Sequence, residues 1–421
     1  MSNLAILGGS TIGGLNAPKW PIFDEKEEKA ILEVLRSGNW AFQGPTEKEF
    51  ERAFAEYTEA DYAVAVTNGT HTIKLLLEAY QIGPGDEVIV PGLTWQATAA
   101  AVLDVNAVPV LVDIDEATFN LDPKMVEAAI TSRTKAIIPV HLYGRMCDMD
   151  AILDIAKRYN LVVIEDCAHQ HGSRWRGVNV GIVGDAGSYS LQSSKIINTG
   201  EGGMVITNDR IIHDLVNSLK NCGRPLWEGA HAMQSGNYRT TEFQAAIGLV
   251  QLSRLDEQNK LREINAAKLE KSIASMEGLK PLYRDPNVTF QTYYMWSLAY
   301  DKEKWDGVSK WAFTAALAAE VGDAFYCGGT YTPLHRSPLY KPLSKKTYRL
   351  TEEYFAAINP ARFYLPVCDK VFEDVAINFG HVSLLMDDAG NQKFLDILNK
   401  LRENIDELRA FDKDYVHVYT D

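Results

Sequence analysis

The sequence predicts an α/β protein in which a large domain with a mostly parallel sheet precedes a smaller α+β domain. The first half of the chain supports the large domain, because short β-type runs alternate with helix-type segments from Tyr62 onwards. Such alternation is typical of parallel sheets with helices on both faces. The second half supports the small domain, since a long helical stretch after Gly203 leads into aromatic, strand-like runs.

The elements of the large domain follow from local periodicity and turn signals. Two amphipathic helices come first, at residues 25–36 and 47–57, and Gly38 ends the first of them. The alternating part then predicts strands at residues 62–66, 87–90, 108–112, 136–140 and 161–164, with helices at 73–80 and 149–159. Sheets of this kind bind ligands at the carboxyl ends of their strands.

The elements of the small domain are longer and less regular. The sequence predicts one nearly unbroken helix at residues 240–275, an aromatic strand at 291–300, a loop rich in Pro, His and Tyr at 330–340, and a closing helix at 391–408. We therefore expect three parts: an N-terminal arm at residues 1–20, a large domain at 21–275 and a small C-terminal domain at 276–421.

The composition narrows the class of protein. The 421 residues carry 42 basic and 56 acidic side chains, and the net charge of −14 disfavours nucleic acid as a partner because phosphates attract clustered Lys and Arg. No apolar run reaches the roughly 18 residues of a membrane span. The five cysteines form no CxxC, so we expect no structural zinc or other metal. These cysteines and the lack of a signal-peptide pattern predict a cytoplasmic protein.

A lysine and an acid in the large domain indicate covalent catalysis. Asp166 ends an apolar strand, and Lys195 follows 29 residues later, shortly before Gly200-Glu-Gly-Gly203. A lysine in a tight, glycine-bounded segment suits a Schiff base. Pyridoxal 5′-phosphate (PLP) needs such a pair, because the amine holds its aldehyde and a carboxylate pairs with its ring nitrogen.

Two further motifs suit the rest of this cofactor. Gly69 and Thr70 follow a strand and open a helix, whose first N–H groups attract a phosphate. Trp95 follows the strand at 87–90, where an indole could stack on a planar ring. Each feature alone has an ordinary alternative: a surface lysine, a capping acid, a helix N-cap or a core tryptophan. The order of all four along the chain favours the cofactor site.

The chain resembles the DegT/DnrJ/EryC1/StrS family of PLP-dependent aminotransferases of fold type I. The matching segments are residues 67–72, 83–91, 139–144, 164–172, 195–203 and 236–239. The resemblance implies that Lys195 forms the Schiff base and that Asp166 pairs with the ring nitrogen. It also implies a homodimer with shared active sites, since Asn237 would reach the phosphate in the neighbouring subunit. The other implied cofactor contacts are Gly69, Thr70, Trp95, His169 and Ser190.

Other segments indicate the branch of the family. Residues 365–370 and 379–385 look more like the members that aminate keto-cyclitols such as scyllo-inosose than like those acting on nucleotide-linked sugars. This likeness implies an aminocyclitol or aminoglycoside pathway, L-glutamine or glutamate as amino donor, and pyridoxamine 5′-phosphate as the intermediate cofactor form. Residues 221–225 look more like 3-amino-5-hydroxybenzoate synthases, which are PLP dehydratases. These synthases and the nucleotide-sugar aminotransferases stay as alternatives.

Two more residues are substrate candidates. His335 lies in Thr-Pro-Leu-His-Arg-Ser-Pro, which resembles a loop at the active-site edge, so substrate contact and plain loop packing both stay open. Arg239 could bind a phosphate or a substrate carboxylate, or form an ordinary surface pair. A non-catalytic regulator that binds PLP is a third alternative function, which the intact Lys195 disfavours.

Overall fold

The structure, a computed structural model, describes residues 2–225 and 233–417. Its α-helices are α1 (Glu25–Ser37), α2 (Pro45–Thr58), α3 (Gly69–Ala79), α4 (Ala97–Asp104), α5 (Pro123–Ala128), α6 (Met149–Tyr159), α7 (Arg210–Lys220), α8 (Glu242–Ile273), α9 (Lys310–Val321), α10 (Glu352–Ala357), α11 (Pro366–Lys370), α12 (Asp388–Glu403) and α13 (Ile405–Asp414). Within the described residues, none of the helices has both the length and the apolar character needed to cross a membrane.

The strands are β1 (Tyr62–Val66), β2 (Glu87–Pro91), β3 (Val108–Val112), β4 (Thr134–Ile137), β5 (Val162–Asp166), β6 (Arg174–Trp175), β7 (Val178–Asn179), β8 (Ala186–Ser190), β9 (Gly203–Thr207), β10 (Leu279–Pro281), β11 (Val288–Phe290), β12 (Met295–Tyr300), β13 (Cys327–Gly328) and β14 (Ala376–Gly380). Short 3₁₀ turns and one π-helical turn, Val371–Val375, join them.

A seven-stranded sheet forms the centre of the large domain, in the order β1-β9-β8-β5-β4-β2-β3. The strands from β8 to β3 pair in parallel, whereas β9 runs antiparallel to both β1 and β8. Strands such as β3, Val-Pro-Val-Leu-Val, are apolar throughout because helices cover both faces of the sheet. The mostly parallel sheet confirms the predicted α/β class.

Local signals explain where the main helices begin and end. α1 starts at a capping box formed by Asp24 and Glu27, and it ends at Gly38, whose φ of 70° favours glycine. α8 starts at a second capping box, formed by Thr241 and Gln244, and continues for 32 residues. Its first half packs on α1 and α2, while its last turns enter the core of the small domain. One helix therefore supports both units.

The small domain is built on a four-stranded antiparallel sheet, β10-β12-β14-β13. Its core surrounds Trp296, Phe313 and Phe394. The N-terminal arm packs on this core, since Leu4 and Leu15 are buried in it and the backbone N–H of Ala5 donates to Glu320 at 2.9 Å. The arm thus lies on the small domain before the chain enters α1.

The segment before β14 joins the small domain to the edge of the large sheet. The backbone N–H of Leu334 donates to the carbonyl of Gly92 at 2.8 Å, next to the end of β2. Asp113, after β3, accepts the N–H groups of Val367 and Cys368 at 2.9 and 2.8 Å and so caps α11. These bonds hold residues 330–368 beside the carboxyl ends of the strands.

One predicted element differs from the structure in its continuity. The closing helix expected at 391–408 is two helices, α12 and α13, with Asn404 between them. The side-chain amide of Asn404 donates to the carbonyl of Lys400 at 2.7 Å and so ends the first helix. The strand expected at 136–140 is also shorter, because β4 ends at Ile137.

Candidate active site

A cavity of about 560 Å³ lies at the carboxyl ends of β1, β2, β5 and β8. The parallel topology brings to this edge segments that are far apart in the sequence. Seven of the predicted site residues line the cavity: Gly69, Thr70, Trp95, Asp166, His169, Ser190 and Lys195. The structure therefore brings together the cofactor residues that were predicted within one chain.

The N-terminus of α3 forms one wall of the cavity. Asn68 caps this helix by accepting the backbone N–H of His71 at 2.9 Å. A Cβ atom on Gly69 would lie 2.8 Å from the Cβ atom of Ser190, so glycine lets the helix approach the end of β8 closely. Helix N–H groups beside the hydroxyls of Thr70 and Ser190 suit a phosphate.

Lys195 lies in the loop between β8 and β9 with its amine inside the cavity. Its backbone N–H donates to the carbonyl of Gln192 at 2.8 Å, which closes a tight turn. The amine is 3.9 Å from the centroid of the Tyr294 ring. Burial lowers the pKa of this amine to about 7, although the nearby Asp166 carboxylate opposes the shift. About half of the lysine is therefore an uncharged nucleophile at neutral pH, whereas an ordinary lysine is almost fully protonated.

Asp166 ends β5 on the floor of the cavity. One carboxylate oxygen accepts the hydroxyl of Thr98 at 2.9 Å, and the other accepts the N–H of Ala168 at 3.2 Å. Burial raises the pKa of this carboxyl, while those two hydrogen bonds and the charge of Lys195 act in the opposite direction. A buried carboxylate in this position favours a positively charged N–H as its ligand.

His169 is held as a neutral imidazole with a defined tautomer. The backbone N–H of Tyr143 donates to its Nδ1 at 3.3 Å, so the ring proton lies on Nε2. Burial holds the pKa of this imidazole well below its usual range. The ring stacks on Tyr143 and contacts Tyr294 and Tyr331, with centroid distances of 5.6, 4.3 and 6.1 Å. The Nε2–H is thus a neutral donor on the cavity wall.

A second cavity of about 260 Å³ adjoins the first. Its lining residues, all of them described by the structure, include no charged side chain. In the first cavity, the described lining contains one cation, Lys195, and two acids, Asp166 and Glu201. Sequence analysis did not single out the tyrosines of the second cavity, because only the tyrosine-rich character of the surrounding segments is visible in the sequence. These residues are Tyr143, Tyr294, Tyr326 and Tyr331.

Asn237 and Arg239 lie outside both cavities of their own chain. The side-chain oxygen of Asn237 accepts the Arg239 Nε–H at 2.7 Å, and the Arg239 guanidinium lies 4.3 Å from the Phe42 ring centroid. The carbonyl of Tyr238 accepts the N–H of Thr67 at 3.1 Å, directly before α3. The two predicted residues thus occupy an exposed loop beside the phosphate wall.

His335 also lies outside both cavities. Its Nε2 is 3.3 Å from a carboxylate oxygen of Asp369, and Arg336 donates to the same carboxylate at 3.0 Å. The neighbouring Leu334 and Ser337 line the second cavity instead. The structure thus places His335 against Asp369 and outside the described lining of both cavities, and its contact with substrate stays a prediction.

Three buried groups beside Asp166 have the chemistry of metal ligands but are bound to protein atoms. Ligand atoms of His141, Glu165 and Cys167 lie within 4.8 Å of one another. The Nδ1 atom of His141 accepts the N–H of Cys147 at 3.1 Å, so its Nε2–H faces Glu165 at 3.0 Å. Glu165 also accepts the N–H of Gly184 at 2.7 Å. These bonds assign the cluster to the support of β5.

The cavity as a whole fits PLP. It combines an anion-binding helix terminus, a lysine amine with a lowered pKa and a buried carboxylate. The Trp95 indole, 44% exposed, lines the same cavity after the end of β2. PLP is an aldehyde with a phosphate arm and a basic ring nitrogen, and each part has a matching group here. Fold and site together define a PLP-dependent aminotransferase of fold type I.

The chain belongs to the DegT/DnrJ/EryC1/StrS aminotransferase family, which matches residues 21–376. It is 40% identical to the L-glutamine:2-deoxy-scyllo-inosose aminotransferase of Streptoalloteichus tenebrarius, over 97% of this chain and 99% of that one. It is 39% identical to the L-glutamine:scyllo-inosose aminotransferase of Streptomyces griseus, with the same coverage.

Solved structures of this family share the fold. The crystal structure of 3-amino-5-hydroxybenzoic acid synthase superimposes with a TM-score of 0.80 at 30% identity, over 94% of this chain and all of that one. DesI, crystallised in the presence of its TDP-sugar product, gives a TM-score of 0.82 at 26% identity, over 98% of this chain and all of that one. The same fold therefore occurs in proteins with different named products.

The lowered pKa of Lys195 predicts how the apoenzyme captures its cofactor as pH changes. Only the unprotonated amine attacks an aldehyde, so the capture rate should fall about tenfold per pH unit below pH 7 and level off above it. Stopped-flow absorbance of apoenzyme mixed with PLP measures this rate. N-α-acetyl-lysine, with an amine pKa of about 10.4, is the control that corrects for ionisation of PLP itself. A capture rate that rises until about pH 10, as for the control, would contradict the assignment.

Proposed function

We propose that this enzyme transfers the amino group of L-glutamine to a keto-cyclitol of the scyllo-inosose type, in aminocyclitol biosynthesis. The relatives that carry such names align with nearly the whole chain. The observation that favours this acceptor within the structure is the charge of the two cavities. A cyclitol ketone is uncharged, so it needs hydrogen bonds and ring contacts rather than cations.

The cavity surface disfavours a nucleotide-linked sugar. A nucleoside diphosphate carries at least two negative charges, and proteins bind such groups with Arg, Lys, a metal ion or a helix N-terminus. The helix N-terminus on the cavity wall, that of α3, would already hold the cofactor phosphate. Among the described residues that line the cavities, the one cation is Lys195, which the cofactor aldehyde consumes. The tyrosine rings and hydroxyls of the second cavity instead suit the C–H faces and hydroxyl rim of a six-membered polyol.

The residues of the first cavity divide the work of holding the cofactor. Bound through its aldehyde, PLP supplies an electron-accepting ring. Lys195 holds it, and Gly69, Thr70 and Ser190 bind its phosphate. Asp166 pairs with the ring nitrogen, Trp95 covers one ring face, and the His169 Nε2–H donates to the phenolic oxygen. The Lys195 amine would also suit proton transfer at the donor α-carbon, since burial lowers its pKa to about 7.

The active site is completed by a second copy of the chain. The donor carries an α-carboxylate, and its cation has to come from outside the described cavity lining, where Lys195 is already committed. Arg239 is half-buried next to the exposed Asn237, beside the phosphate wall. We assign Asn237 of the partner subunit to the phosphate and the partner's Arg239 to the substrate side.

The free thiols of all five cysteines support a reducing, cytoplasmic setting.

Donor and acceptor profiles test the function. L-Glutamine should convert the bound cofactor to its pyridoxamine form, and scyllo-inosose or 2-deoxy-scyllo-inosose should convert it back. The kcat/KM for these ketones should exceed that for a TDP-linked keto sugar about tenfold or more, because the sugar would leave its phosphates unpaired. Absorbance of each half-reaction gives the rates. Turnover of the TDP-sugar or of an aminodehydroshikimate, with none of the inososes, would replace the proposal by one of the two alternatives.

Removal of the Asp166 carboxylate should impair turnover more than cofactor retention. One charge-assisted hydrogen bond contributes about 1.5–3 kcal/mol, so Asp166→Ala should lower kcat roughly ten- to a hundredfold at saturating PLP. Asp166→Asn, which keeps the size and removes the charge, should lose nearly as much. Thr98→Val is the matched control, because it removes a hydrogen bond to the same carboxylate and leaves its charge. Wild-type turnover of Asp166→Ala would show that the ring nitrogen lies elsewhere.

Mixed subunits test the shared site. Lys195→Ala and Asn237→Asp chains should each be inactive, but a heterodimer of the two contains one site with an intact lysine and an intact partner Asn237. Random exchange should therefore restore about a quarter of wild-type activity. Native mass spectrometry verifies that exchange has occurred. Verified heterodimers without activity, or a fully active monomer, would refute the shared site.

A further inference from the structure

The turn that carries Lys195 has an open outer side. Gln192 is half-buried, and Ser193 and Ser194 are exposed, although Lys195 itself is buried. The large-domain sheet holds the loop at its base, where the N–H of Leu191 donates to Gly202 at 2.8 Å. The outer side of the turn therefore has to be fixed by contacts from elsewhere in the chain.

Trp20 supplies such a contact. Its indole N–H donates to the carbonyl of Ser193 at 3.0 Å. The indole ring meets the His381 ring edge-on at a centroid distance of 4.4 Å, and the buried Arg262 guanidinium lies 5.6 Å from the indole centroid. Arg262 also donates to His381 Nδ1 at 3.2 Å. The ring proton of His381 is therefore on Nε2, and His381 forms its other hydrogen bond with the backbone of Ser194. The outer side of the turn thus rests on two packed rings.

The position of Trp20 is set by the small domain. Leu4 and Leu15 of the same arm are buried in the small-domain core, and Lys400 on α12 donates to the carbonyl of Ser10 at 2.7 Å. His381 directly follows β14 of the small-domain sheet. Trp20 is therefore the end of a docked arm, and it links the small domain to the lysine turn.

We propose that Trp20 is a positioning residue for Lys195, which holds the Ser193 carbonyl and thereby keeps the lysine amine inside the cavity. Trp20 is absent from the lining of both cavities, so it acts through the turn and not on the cofactor or substrate. This role goes beyond the proposed function. It depends on the reactivity of Lys195 but not on the identity of the acceptor.

Two substitutions separate the hydrogen bond from the packing. Trp20→Phe keeps a ring against His381 and removes the N–H donor, whereas Trp20→Ala removes both. Leu7→Ala is the control, because Leu7 lies on the same arm with 42% of its surface exposed. Hydrogen exchange of residues 190–197 in the apoenzyme reports on the turn. The pH midpoint of the visible absorbance of bound PLP and the kcat and KM of the donor half-reaction report on the amine.

Trp20→Phe should lower the half-reaction kcat about three- to tenfold, the effect of one hydrogen bond, with KM changed less than about twofold. Trp20→Ala should lower it further. Exchange in residues 190–197 should increase in both variants. The absorbance midpoint should move to higher pH, since the Lys195 nitrogen in its bond to PLP regains the basicity lost by burial when it lies nearer water. The melting temperature of Trp20→Phe should stay within about 2 °C of wild type.

Unchanged exchange, midpoint and kcat in Trp20→Phe would overturn the proposal, and so would equal changes in Leu7→Ala. A fall in kcat that is matched by a fall in melting temperature, with the midpoint unchanged, would assign Trp20 a purely structural role. Trp20→Phe decides the question if Trp20→Ala does not fold. Failure of the cofactor assignment itself has a different signature, because the wild-type protein would then lack the visible absorbance.

Discussion

The site depends on one constraint, which is that a buried lysine amine has to be readily available in its uncharged form. Burial achieves this for Lys195 by lowering its pKa to about 7, and the same burial raises the pKa of Asp166. Without a ligand, both groups are thus held in an environment that disfavours their ionised forms. A cofactor with a basic ring nitrogen and an aldehyde removes both penalties, because the nitrogen pairs with Asp166 and the aldehyde takes the amine. Cofactor binding and stability are therefore coupled at these two residues.

Strand β9, which runs antiparallel to its neighbours in the large sheet, explains how the lysine reaches that cavity. The carboxyl ends of parallel strands supply Asp166 and Ser190. In a purely parallel sheet, the chain after Ser190 would move away from the strand ends into a crossover helix on one face of the sheet. Here β9 returns beside β8, so residues 191–202 form a loop that stays over the strand ends. Gly203 makes this return possible at close range, since a Cβ there would lie 2.5 Å from the Asn68 backbone. The phosphate wall and the lysine loop consequently share one side of the cavity.

Local patterns predict the part of this arrangement that depends on local physics. Helix α6 and strand β3 have the bounds expected from periodicity and turn signals, and the seven cavity residues follow from strand ends and motifs. The pairing of β9 depends on contacts between distant segments, which no local pattern reveals. Tyr143 was missed for a different reason: its φ of 49° is unusual for a buried aromatic residue and depends on tertiary contacts. Its ring stacks on His169, and its hydroxyl accepts the N–H of Tyr331 at 2.9 Å. The motif around His335 left substrate contact and loop packing open, and the contact of its Nε2 with Asp369 at 3.2 Å joins segments that no local pattern relates.

The division of the cavity walls between the two domains indicates where acceptor selectivity resides. The groups that meet the cofactor come from the large domain, apart from the Tyr294 and Tyr331 rings at the boundary. The second cavity is lined mainly by residues 326–339, with Asn378 from β14. Asn378 is itself held, because its amide donates to the carbonyl of Gly329 at 3.1 Å. Exchange of that segment could therefore change the acceptor without disturbing Lys195 or Asp166. Such independence agrees with the names of the similar proteins, which specify scyllo-inososes, a TDP-sugar product and 3-amino-5-hydroxybenzoic acid on one fold.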